Sequence, residues 1–198
     1  MNLVGIFICI WYNSKLAFEI FEKNNLNQII FKIFFDHYQK FVHDFELKKI
    51  IMGLTSILKC DSLPSSIMNN YLYFFKATIY LSYENLKLKN ENIKDKNKSQ
   101  VKHDEAEEID SIPLNKAPMN TEENDDDNDD SEFEDEGPDL VISRINNIDE
   151  LILFNSIIDS MKSSNFYAFT KLVESLSQED KDKLEIILKK GSEIPKWG

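Results

Sequence analysis

Residues 104 to 139 constrain this chain more than any other stretch. They hold 17 of its 35 acidic residues against one basic residue, Lys116, so the stretch carries a net charge of −16 while everything outside it sums to +4. Leu114, Phe133 and a few isoleucines are its only large apolar groups. So little apolar surface cannot offset the entropy of ordering a backbone, and the segment is expected to be disordered. Any fold must be built from the flanks, which together keep about 160 residues, enough for a real core.

Those flanks are rich in aromatic residues and poor in turn residues. Fourteen Phe and seven Tyr stand against five Gly and five Pro, which favours long helices over a many-stranded sheet. Leu3 to Tyr12 is apolar all round, as a short helix can be only when covered on most sides; the reading is of a core helix entered midway, its upstream partner missing. Asn13-Ser14 reads as a turn with the Ser oxygen as N-cap of a helix Lys15 to Lys23, whose apolar face is Leu16, Ala17, Ile20 and Phe21. Asn24-Asn25 breaks it. Leu26, Ile29, Ile30, Ile33, Phe34, Tyr38 and Phe41 then recur at helical steps.

After a link at His43-Asp44, Leu47, Ile50, Ile51, Leu54, Ile57 and Leu58 give the next helix, with Asp44 as its cap, Glu46 in its first turn and Gly53 as a sign of close packing. Cys60 to Pro64 is a loop, with Pro64 in the first turn of a helix that carries Ile67, Tyr71, Phe75, Ile79 and Leu86 and fades near residue 92. Beyond the acidic stretch the period resumes with Leu151, Phe154, Ile157, Ile158 and Met161, behind Asp149 and Glu150 in a first turn. Ser163-Ser164 ends it, Phe166 to Leu176 forms a second helix, and Ser177 with Asp180 caps a third that buries Leu184, Ile187 and Leu188.

The division expected is a helical segment over 1–95, an acidic disordered loop over 96–145, a helical hairpin over 146–190 that docks on the first segment, and a tail over 191–198. Pairs of antiparallel helices of this length fit a HEAT-like solenoid and a four-helix bundle equally well. The fold class is all-α either way.

Catalytic signatures are absent from the sequence. There is no Gly-rich phosphate loop, nucleophile elbow or paired-Cys motif, and His37, His43 and His103 form no ligand set, so the chain is not expected to be an enzyme or to need a cofactor. Cys9 and Cys60 have no metal spacing and read as buried thiols in a reducing compartment. The apolar start lacks a basic region and a cleavage site and is too short to span a bilayer. With a pI near 4.7, the chain is not expected to bind nucleic acid directly or to enter a membrane; its natural partner is basic.

The candidate binding residues are the densest acidic ones: Glu122, Glu123, Asp125, Asp126, Asp127, Asp129, Asp130, Glu132, Glu134, Asp135 and Glu136. They would steer Lys- and Arg-rich proteins at long range. Asp125, Asp127, Asp129 and Glu136 also fall at positions of a calcium loop, but Asp130 stands where its sharp turn wants Gly. Ser131, in an acidic context, is a candidate phosphate acceptor.

Trp11-Tyr12-Asn13, the helix ending Phe34-Phe35, the link Phe41-Val42-His43-Asp44, the run Leu47-Lys48-Lys49-Ile50-Ile51-Met52-Gly53-Leu54 and the pair Leu63-Pro64 resemble the C-terminal HEAT region of the importin-β (karyopherin) family. The importin seven and eight subgroup is nearest. The order of parts is similar too: paired helices, a long acidic insertion, then Phe166-Tyr167-Ala168-Phe169 and Leu176-Ser177-Gln178-Glu179. The resemblance implies part of a nuclear transport receptor that shuttles between cytoplasm and nucleus, binds basic cargo such as histones or ribosomal proteins, and answers to the small GTPase Ran. Such receptors are several times longer, and their main Ran-binding surface lies in an N-terminal arch with no counterpart in these residues. The alternative is a stand-alone acidic helical adaptor or chaperone for basic proteins.

Overall fold

Short polar side chains set most of the helix starts. Asn2 accepts a hydrogen bond from the Gly5 amide (3.1 Å) and opens α1, Leu3–Tyr12. Asn13 accepts from Leu16 (3.0 Å) and opens α2, Ser14–Lys23. Each satisfies one of the amides that a first turn leaves free. The structure, a computed structural model, describes residues 2–104 and 145–193, with the backbone alone given for 93–104. It is helical, with no strand among the described residues.

The chain continues through α3, Asn27–His37, a 3-10 turn at Tyr38–Lys40, α4, Asp44–Lys59, the single turn α5, Ser65–Met68, and α6, Tyr71–Asp104. After the acidic stretch come α7, Glu150–Ser164, α8, Phe166–Glu174, and α9, Gln178–Glu193. Asp149 caps α7 through the amides of Leu151 (2.9 Å) and Ile152 (3.0 Å). Asn165 caps α8, and Ser177 accepts from the Asp180 amide (3.1 Å) while donating to its carboxylate, the expected capping pair.

α4 is the central helix, packed against α1, α6 and α7. Leu47, Ile50, Ile51, Leu54 and Ile57 have no exposed surface, and each such side chain contributes about 2 kcal/mol by leaving water. α6 lies between α4 and α9, and α9 also meets α7. Aromatic rings join α3 to both neighbours: Phe34 meets Phe7 edge-on at 4.7 Å, and Phe31 meets Phe74 at 4.8 Å. The helices thus form two rows, α1–α4–α7 and α3–α6–α9.

Several local expectations change. Asn13, not Ser14, caps α2, and the buried face of that helix is Ala17, Phe18 and Phe21, leaving Leu16 and Ile20 about half exposed. The face turns toward Phe18 because its ring hides more apolar surface than either branched side chain. The helix expected to reach Phe41 breaks at His37 into the 3-10 turn, and Ile29 is exposed. His43, with no side-chain bond, holds the cap position before α4, and Asp44 sits in the first turn. Pro64 precedes α5 rather than entering a long helix, and α6 starts afresh at Tyr71.

α6 does not fade near residue 92 but runs to Asp104. No Gly or Pro interrupts it there, and Lys94, Lys96, Lys98 and Gln100, good helix formers, are interspersed among the weaker Asn92, Asp95 and Asn97. Neither cysteine is fully buried: Cys9 is exposed and Cys60 half-buried.

Candidate functional site

The acidic candidates from Glu122 to Glu136, the calcium register and Ser131 all lie outside the described residues. The structure instead defines where the acidic stretch is attached. The chain leaves along α6 and comes back at Ile145, whose side chain is buried. The Lys48 ammonium of α4 then donates to the Asn146 carbonyl (3.1 Å).

A buried polar knot follows immediately. Glu150, the first residue of α7, has no exposed surface. Its Oε1 accepts from the Asn85 amide (2.6 Å) and from the ammonium of Lys89, both on α6. Lys89 keeps 31% of its side chain exposed, so the pair has one dry end and one wet end. A carboxylate without water is costly unless it is paired and hydrogen-bonded, and this one has both kinds of partner. Glu150 Oε2, Asn85 Oδ1 and Ser82 Oγ, all buried, have no hydrogen-bond partner among the described residues.

Reading Glu150 only as a first-turn residue favoured by the helix dipole missed this role. The signal was present, because Glu150 lies four and seven residues before Phe154 and Ile157, on the stripe that faces the core. Its partners were beyond reach, since nothing local connects it to residues 61 and 65 positions earlier.

Nearer the start of α6, where it meets α9, Lys183 of α9 lies over the rings of Tyr80 (5.3 Å) and Tyr83 (5.7 Å) while its ammonium meets Glu179 (2.6 Å). The hydrogen bond to Glu179 raises the pKa of Lys183 and keeps it charged. Burial, then Glu84, raises that of Tyr80. These groups clamp helices together, and the arrangement holds no nucleophile beside a base.

His37 and His43 are both exposed, and His43 stacks on Phe45 with ring centres 5.8 Å apart. Among the described residues no group of three His, Cys, Asp or Glu is placed to hold a metal ion, and no helix is long and apolar enough to cross a membrane. No family model, curated protein or solved structure matches the chain.

Proposed function

We propose that this chain is part of an importin-β-like nuclear transport receptor, and that its acidic stretch captures basic protein cargo for import. The observation that carries the reading is the separation of charge: −16 within 36 residues, beside flanks that sum to +4. A cluster of that density attracts Lys- and Arg-rich chains over a distance set by the Debye length, about 10 Å at 0.1 M salt. The packing of α4 on α6 and of α7 on α9, with Phe7 of α1 meeting Phe34 of α3, supports the HEAT-like form of the proposal, in which α1/α3, α4/α6 and α7/α9 would be the pairs. The knot at Glu150 then serves to hold the third pair on the second, at the start of α7. Cargo such as histones or ribosomal proteins would meet Glu122 to Glu136, with Ran acting through other parts of a receptor and the complex moving from cytoplasm to nucleus.

The test compares the full chain with a variant lacking residues 104 to 139, using a lysine-rich histone tail peptide at low salt. The full chain should bind, with affinity falling steeply as ionic strength rises to about 0.3 M, and the variant should not. Equal binding by both would overturn the proposal. Binding without any import of the peptide into nuclei of permeabilised cells would instead make the chain an acidic adaptor.

A further inference from the structure

A second recognition surface lies at α3 and α5, far in sequence from the acidic stretch. A cleft of about 420 Å³ opens between α3 and α5. Four carboxamide side chains line it, Asn27, Gln28, Asn69 and Asn70, with Ser66 and Lys32 beside them and Phe31 and Phe35 as its apolar wall. An adjoining hollow of about 270 Å³ shares Asn27, Gln28 and Ser66 and continues toward Asn25 and Glu22.

Asn27 is the unusual member. It precedes Ile30, Phe31 and Phe34 by three, four and seven residues, so it occupies the core-facing stripe of α3 and is 5% exposed. A leucine would pack there. The asparagine instead keeps Oδ1 buried with no hydrogen-bond partner among the described residues, a costly arrangement that a ligand N–H would relieve. Around it, donors and acceptors are mixed. One N–H of the Asn70 Nδ2 is given to the Ser66 carbonyl (2.8 Å), which leaves Asn70 its Oδ1 and a second N–H. Among the described residues the Gln28 and Asn69 side chains have no partner, and α3 starts behind Leu26 with no side-chain cap on its first amides.

We propose that this cleft binds a short extended polypeptide segment through its main chain. Carboxamides match a peptide backbone because each offers one acceptor and a donor group, the same pair that a peptide bond presents. The buried Asn27 Oδ1 takes a ligand N–H, the uncapped start of α3 and Gln28 take a ligand C=O, and Phe31 with Phe35 receives one apolar side chain. The volume lies in the range usual for small-ligand sites. Charge argues against nucleic acid: among the described residues Lys32 is the one cation lining the cleft and Glu22 lines the adjoining hollow, whereas phosphate tracking needs several clustered cations. This inference does not depend on the transport reading.

The experiment is an NMR titration of the full isotope-labelled chain with N-acetyl-Ala-Leu-Ala-Leu-amide, following the side-chain amide signals of Asn27, Gln28 and Asn69. Saturable shifts confined to those signals are expected, and a peptide methylated on its backbone nitrogens should bind at least tenfold more weakly. Asn27→Leu should melt at the same temperature or higher, since it removes a buried unpartnered atom, yet lose at least tenfold in affinity. Gln28→Ala, at an exposed position, should weaken binding with no change in melting. Absence of saturation, equal affinity in both variants, or the same shifts produced by adenosine monophosphate would each overturn the proposal.

Discussion

Glu150 and Lys89 are unequal partners, and the inequality can be measured. Glu150 is wholly buried, whereas Lys89 is 31% exposed along its side chain. Lys89→Met therefore strands a carboxylate with only the Asn85 amide to hold it, at a cost of about 3 kcal/mol. Glu150→Gln keeps an oxygen for Asn85 and lets Lys89 turn to water, costing about 1 kcal/mol. Urea unfolding should show the lysine variant to be the weaker; the reverse order would mean that Glu150 is not buried as a charge. Tyr71 gives a second prediction. Its hydroxyl donates to the Leu58 carbonyl (2.9 Å), and burial pushes its pKa up to about 12. Because the unfolded value is about 10, folding favours the neutral phenol, so its contribution is complete below about pH 10 and disappears as pH rises through about 12. The urea midpoint should fall across that window, and Tyr71→Phe should flatten the fall without abolishing it, since Tyr80 is shifted the same way. Sequence showed that Tyr71 lies on an apolar face, but not that a carbonyl thirteen residues earlier would receive its hydroxyl.

At the scale of helices, spacing was the dependable signal and caps were the weaker one. The apolar periods of α4, α7 and α9 were readable because Leu47, Ile50, Leu54 and their counterparts face the core at every helical step. The first residue of a cap was harder to choose, because Asn13 and Ser14 both suit the role and a one-residue shift changes no period. Gly53 is a case in which sequence and structure agree and the reason becomes physical. A Cβ there would sit 2.5 Å from the Phe7 carbonyl oxygen and 2.7 Å from the Phe7 Cβ, so the missing side chain lets α4 rest on the backbone of α1. Gly53→Ala should lose about 2 kcal/mol despite the better helix propensity of alanine, because backbone cannot yield as a side chain can. Gly191→Ala meets first the side-chain amide of Asn155, which can yield by giving up its hydrogen bond to the Leu188 carbonyl (3.0 Å), and should cost less. Thermal unfolding of the two variants tests the contrast; equal losses would show that α1 and α4 can move apart freely.

The molecule as a whole is joined across its acidic stretch by packing as well as by the covalent chain. α7 lies against α4, and α9 against α6, so the helices after residue 145 complete a core begun by those before residue 104. Phe154 and Ile158 of α7 and Ile187 of α9 have no exposed surface. Apolar area of this kind gains attraction in high salt, and the Glu150 contacts are too buried for ions to screen. A protease site placed at Met119 should therefore cut the chain into two pieces that still elute together on gel filtration, in dilute buffer and in about 1 M salt alike. Denaturing urea should part them. If they separate in salt alone, the two pieces are held by the attraction of the acidic stretch for the lysines of α6, and the rows of helices are not one core. Combining the cut with Lys89→Met sharpens the result: co-elution should persist while the urea needed to part the pieces falls, because the variant weakens the knot at the start of α7 and leaves the apolar contacts of α9 in place.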